Sequence, residues 1–156
     1  MSDTELKIGD TSTVTFTFDE SVTGFTNVDV TTIANGTLST ISGSGTTYTA
    51  TFTPNAPIED VSNVITVDKS GVADTAGNAG SGTTSTSNYT IDTLATVISA
   101  VSSTALYPPG AAITWTTSEA ATSQVEYGTT ISYGSTTTVD ATFVTNHTVN
   151  ISGLPA

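Results

Sequence analysis

Apolar residues recur at every second position in Val14-Thr15-Phe16-Thr17-Phe18, with threonines between them. That period suits a strand with one dry face and one wet face. The same alternation returns in Tyr48-Thr49-Ala50-Thr51-Phe52, Val64-Ile65-Thr66-Val67, Ile113-Thr114-Trp115-Thr116 and residues 144–151. No stretch shows a helical or heptad period, so almost no helix is expected. Residues 118–121 come nearest, and they are expected to form a loop.

Turn residues divide the pattern into two units, 1–92 and 93–156, meeting near Asp92-Thr93. In the first, strands are expected at 6–8, 12–18, 25–32, 37–41, 47–53, 61–68 and 87–91. Gly9-Asp10, Asn35-Gly36 and Gly43-Ser44-Gly45 supply turns, and Asn-Gly is the strongest of these signals. Asp19, Glu20 and Gly24 fall in an expected loop, as do residues 54–60 and the glycine-rich stretch 69–84. Strands of this number and spacing fit an antiparallel sandwich with Ig-like topology. In the second unit, strands are expected at 95–101, 112–117, 123–127, 132–139 and 145–151. Pro108-Pro109-Gly110 breaks the chain before the second of them, and Gly153-Leu154-Pro155-Ala156 follows the last. Five strands make an incomplete sandwich. The expected fold class is therefore all-β, with two antiparallel β-sandwich domains, the second unfinished.

Composition sharpens this picture. Hydrophobic residues are 36% and charged residues only 10% of the chain, with Ser and Thr filling the wet faces. Regular alternation, five Tyr, five Phe and one Trp argue against the disorder that low hydrophobicity alone would suggest. The net charge is −12. Nucleic acid and anionic membrane surfaces need Lys and Arg, so neither is an expected partner. Cations are, although acidity also serves plain solubility. The chain has no cysteine, which excludes disulfides and thiolate zinc sites and tilts the reading toward a prokaryotic source. No stretch suits membrane insertion. Ser2-Asp3-Thr4-Glu5 is too polar to open a secretory signal, so a mature form or an excised piece is expected.

Candidate chemistry is sparse. His147 is the only histidine, sits in an alternating strand and has no nucleophile elbow beside it, so a surface or packed imidazole is expected rather than a base. No second histidine exists for a zinc site, and the adjacent pairs Asp19-Glu20 and Glu59-Asp60 are poorly placed for glycoside cleavage. No enzyme is expected. Calcium, a hard cation that takes several oxygens, is the chemical candidate. Seven-strand topology groups Asp19, Glu20, Asp68, Asp74 and Asn78 at the end where the chain enters. It groups Asp10, Glu59, Asp60 and Asp92 at the other, facing Glu119 across the junction. The competing reading is that these side chains close turns on nearby amides. Lys7 and Asn88 are a candidate crosslink pair, though an edge lysine also discourages sheet addition. Asn35, Asn88, Asn146 and Asn150 fit the glycosylation sequon. Trp115 is expected in the core. Tyr127 and Tyr133 either pack there or stack on sugars.

Val14-Thr15-Phe16-Thr17-Phe18-Asp19-Glu20, Val22-Thr23-Gly24-Phe25, Asp29-Val30, Asn35-Gly36-Thr37-Leu38, Tyr48-Thr49-Ala50, Asp74-Thr75-Ala76-Gly77-Asn78 and Tyr89-Thr90-Ile91-Asp92-Thr93 stand in an order that resembles the Ig-like repeats of large bacterial surface proteins and adhesins, over residues 6–92. Ile113-Thr114-Trp115-Thr116-Thr117, the run from Glu119 to Gly128, Ser132-Tyr133-Gly134 and the run from His147 to Leu154 resemble a truncated fibronectin type III-like domain, over 95–154. In that family a further Thr-Tyr-rich strand follows the Gly-Leu turn, and here the chain ends. Both resemblances imply spacing, adhesion or polymer contact at an extracellular or cell surface, and neither implies catalysis. The expected role is a structural or adhesive module: spacer, surface display or fibre assembly. The alternative is an accessory carbohydrate-binding or spacer module of a secreted enzyme. Expected partners are neighbouring repeats or subunits, with strand complementation into the unfinished sandwich as one route, and surface glycans.

Overall fold

The computed structural model describes residues 1–107 and 109–154. Pro108, Pro155 and Ala156, which belong to an expected turn and the expected terminus, lie outside the described residues. The chain divides into two compact units, Met1–Ala95 and Thr96–Ala156. It is all-β: the only helical pieces among the described residues are two single 3-10 turns.

The first unit carries β1 (Glu5–Lys7), β2 (Ser12–Thr23), β3 (Val30–Ile33), β4 (Gly36–Leu38), β5 (Ser42–Pro54), β6 (Glu59–Asn63), β7 (Ile65–Asp68), β8 (Ala73–Asp74), β9 (Thr83–Ser85) and β10 (Tyr89–Asp92). They form sheets of order β4-β5-β2-β8, β3-β7-β9 and β1-β10-β6. The antiparallel register of β2 on β5 sets Ser12 opposite Phe52, Val14 opposite Ala50 and Phe16 opposite Tyr48. Directly opposed residues share a face, so this set turns inward and Thr13, Thr15 and Thr17 turn to water. The alternation read from the sequence is thus the inside and outside of one sheet. Leu6, Val30, Ile65, Tyr89 and Ile91 meet it from the other strands, and Val72 from the end of the 3-10 turn Lys69–Gly71, in a single core. Phe25 packs edge-to-face on Phe16, Phe18 and Tyr48, with ring centres 5.0 to 5.3 Å away, and Phe52 does the same on Tyr89 at 5.1 Å.

Several local expectations are corrected. Asp19 and Glu20 lie within β2, not in a loop, because the strand runs on through a register shift to Thr23. The strand expected from residue 25 begins only at Val30. Thr26 and Asp29 form a reciprocal capping box around the 3-10 turn Asn27–Asp29 and delay it. The strand expected over 61–68 is two, β6 and β7, which join different sheets on either side of Val64. The Asn35-Gly36 turn also crosses between sheets, since β3 and β4 do not pair. Asn35 takes φ 53°, and a Cβ on Gly36 would fall on the Phe52 ring.

The second unit holds β11 (Ile98–Leu106), β12 (Gly110–Ser123) and β15 (Asp140–Ser152) in one antiparallel sheet, with a ribbon of β13 (Glu126–Tyr127) and β14 (Ser135–Thr136). Residues 118–121 belong to β12 and are not a loop; Ala121 pairs with Val144 of β15. The core is small: Trp115 and Ile151 are the buried apolar residues, joined by Ser123 and His147. Every residue of β11 is exposed.

Candidate functional site

The acidic residues expected at the entry end come together in part. Asp19, Glu20, Asp74 and Asn78 line one groove, and Lys69 lines it with them. Asp68 is not among its walls. Asp68 caps the 3-10 turn Lys69–Gly71, accepting from Ser70 N–H at 2.9 Å, and that bond holds its carboxyl below the usual range. Asp74 closes its own loop: Oδ1 accepts from Asn78 N–H at 2.8 Å and Oδ2 from Asn78 Nδ2 at 2.6 Å. These bonds, the side-chain one foremost, lower its pKa too. Gly77, at φ 93°, turns the backbone that makes them possible. Among the described residues, no three His, Cys, Asp or Glu side chains converge closely enough to hold a metal ion.

The other expected group is dispersed. Asp10 Oδ2 accepts from Lys7 N–H at 2.9 Å and closes the first turn. Glu59 and Asp92 are cross-strand partners on β6 and β10, both exposed. Asp60 turns to Asn35, whose Nδ2 donates to Oδ2 at 2.7 Å, and to Ser62 N–H at 2.8 Å. Glu119 belongs to the second unit. Its carbonyl accepts from Thr117 Oγ1, and its Oε1 is buried with no hydrogen-bond partner among the described residues. Lys7 pairs in register with Asp92, while Asn88 is engaged by Asn63 N–H and by the Val61 carbonyl.

A buried polar network around Asn63 has no counterpart in the sequence reading. Asn63 is 1% exposed. Its Nδ2 donates to the carbonyls of Asp60 and Tyr89 at 3.0 and 3.1 Å, and its Oδ1 accepts from Asn35 Nδ2 at 2.8 Å. Tyr89 completes the set by donating its hydroxyl to the Ala34 carbonyl at 2.6 Å. Burial, helped by the Asp60 charge, pushes the Tyr89 phenol up to about 12. These bonds tie the arch at Asn35 to the β6–β10 pair. Asn-Gly flagged one end of the network; nothing in the alternating pattern flagged Asn63.

In the second unit His147 lies flat against Trp115, with ring centres 4.9 Å apart and planes 5° from parallel. Thr117 Oγ1 donates to the Glu119 carbonyl at 2.6 Å, so it accepts from His147 Nε2–H at 2.8 Å. Nδ1 then accepts from Ser123 Oγ at 2.7 Å. The imidazole is therefore a packed one with both nitrogens occupied, and Trp115 is core, as the sequence reading expects of each.

A family model described as bacterial Ig-like domain matches residues 1–91. No curated protein and no solved structure matches the chain.

Proposed function

Because this chain belongs to the bacterial Ig-like domain family through residues 1–91, we propose that it is a non-catalytic structural module of a bacterial extracellular or cell-surface protein, serving as a spacer or display unit in an adhesive or fibrous assembly. The observation that carries this reading is where the polar and aromatic side chains are engaged. Phe16, Phe18, Phe25, Tyr48, Phe52 and Tyr89 pack on one another inside the first sandwich. Asp10, Asp60, Asp68 and Asp74 each accept from a backbone amide of their own turn or strand end. Such a body resists extension and offers little converging chemistry. The carbohydrate-binding alternative draws on Tyr107 and Tyr133 of the second unit, which are 98% and 54% exposed.

Two measurements separate them. Stretching single molecules between their termini is expected to give an abrupt unfolding step of roughly 30 nm for the first unit, from about 3.3 to 3.6 Å per extended residue. Passage over insoluble cellulose and chitin is expected to give no retention. Extension without a force peak would end the spacer reading. Retention lost on Tyr107→Ala or Tyr133→Ala would establish the carbohydrate module instead.

A further inference from the structure

The arch between β3 and β4 needs both of its residues. Asn35, at φ 53°, takes a backbone region that asparagine tolerates and most side chains avoid. Its Nδ2 gives both hydrogens to acceptors on β6, Asp60 Oδ2 at 2.7 Å and Asn63 Oδ1 at 2.8 Å. Gly36 has no room for a Cβ between the Phe52 ring and the Thr53 carbonyl. The same dipeptide is chemically labile. In Asn-Gly the glycine nitrogen, unshielded by a side chain, attacks the asparagine Cγ. A C–N bond forms, Nδ2 leaves as ammonia, and water opens the succinimide to aspartate or isoaspartate. No other asparagine in the chain precedes a glycine. The attacking nitrogen is free of the sheet. Asn55 N–H donates to the Asn35 carbonyl and Ser39 N–H to the Thr51 carbonyl, each at 2.9 Å, which makes Gly36 and Pro54 a non-hydrogen-bonded pair. Gly36 N–H therefore faces away from β5. β4 is the outermost strand of its sheet, and this N–H has no backbone partner among the described residues. The leaving nitrogen is not free. Ammonia departs only when the bonds to Asp60 and Asn63 both break.

We infer that Asn35 is a self-modification site guarded by the buried network: it stays an amide while the arch is closed, converts to the acid once the arch opens, and then keeps the arch from closing again. The inference goes beyond the spacer reading and does not depend on it. The one-way character follows from what surrounds residue 35. An aspartate there sets its oxygens against Asp60 Oδ2 and Asn63 Oδ1, acceptor against acceptor, and brings a second carboxylate beside Asp60. Asn63, 1% exposed, cannot answer by turning its amide over. Its Nδ2 already donates to the Asp60 and Tyr89 carbonyls, and a flip would leave both facing an oxygen. Isoaspartate adds a further fault, because the main chain then runs through the side-chain methylene. That inserts one atom between Ala34, whose carbonyl holds the Tyr89 hydroxyl, and the paired residues of β4. A unit held open long enough is thus retired for good.

The test holds the full chain at neutral pH, in buffer and in concentrated guanidinium chloride, and follows the amide-to-acid mass gain at Asn35 by peptide mapping over time. Conversion in buffer is expected to run at least about tenfold slower than in denaturant, since it waits on opening of the arch. Asn63→Ala, which frees one Nδ2 hydrogen, is expected to speed conversion in buffer about fivefold, and Asp60→Ser serves if the first variant does not fold. Fully converted chain, diluted out of denaturant, is expected to exchange its Asn55 and Asn63 amides at least about tenfold faster than chain given only a brief exposure. Asn35→Gly keeps the backbone region and has no amide to lose, so time in denaturant is expected to leave its exchange unchanged. Equal conversion rates in buffer and denaturant overturn the proposal, as does no conversion in denaturant. Full return of exchange protection after conversion also overturns it. Ageing of Asn35→Gly on the parent's time course overturns it too, by assigning the fault to another residue.

Discussion

At the scale of single residues, stability rests on polar groups that have exchanged water for internal partners. Tyr89 illustrates the sign. Its phenol titrates at about 12 in the fold against 10 in the free state. The unfolded chain therefore loses this proton first as pH rises, and stability falls from about pH 10 to 12. Tyr89→Phe is expected to remove that alkaline loss. It is also expected to cost about 1–3 kcal/mol at pH 7, because the Ala34 carbonyl loses its partner. Denaturant titrations of both proteins at pH 7 and pH 11 check this, and an unchanged alkaline slope would contradict it. Asp68, Asp74 and Asp140 act at the opposite limit. Their folded-state pKa values are lowered by hydrogen bonds to Ser70, Asn78 and Thr142. Their contribution is present above the ordinary carboxylate pKa and is lost as pH drops through the lowered one. On the acid side, the melting temperature is expected to hold down to about pH 4 and to decline below it. Ser123→Ala leaves His147 Nδ1 without its buried donor and is expected to destabilise the second unit by about 1–3 kcal/mol, read by Trp115 fluorescence.

At the scale of elements, what was legible in the sequence had a local cause. Alternating Thr and apolar residues in β2 and β5 showed which face was dry, because period-two burial needs no knowledge of the partner strand. Strand ends did depend on partners. The break between β6 and β7 follows from Asn63, whose backbone N–H donates to Asn88 Oδ1 and whose side-chain Nδ2 donates to the Tyr89 carbonyl, 25 and 26 positions away. The extension of β2 past Asp19 follows from its pairing with β5 and β8. Ser118-Glu119-Ala120-Ala121 lacks a strand pattern of its own, yet pairing with β15 draws it into β12. The candidate site shows the same division: Asp74 to Asn78 is legible as a turn, but the separate use of Asp68 as a cap on Ser70 is not. The late start of β3 is testable, since Thr26 and Asp29 satisfy each other's backbone amides. Asp29→Ala is expected to cost about 1 kcal/mol and to increase amide exchange at Thr26, while the β2–β5 amides stay protected.

At the scale of the molecule, the two units carry separate cores of very different size. The first buries Leu6, Val14, Phe52, Ile65, Tyr89 and Ile91 to 1% exposure or less, whereas among the described residues of the second the buried apolar side chains are Trp115 and Ile151. Hydrophobic stabilisation scales with apolar area removed from water, so the second unit should open at lower denaturant. The chain's single tryptophan lies in that unit, which makes its fluorescence a reporter of one core alone. Urea unfolding is therefore expected to show a fluorescence transition that precedes the loss of hydrogen-exchange protection in the β2–β5 pair. Phe52→Ala should lower the later transition by about 3–5 kcal/mol and leave the earlier one in place. If the two probes moved together in the wild type and in Phe52→Ala, the chain would be one cooperative body, and the small second core would owe its stability to the first.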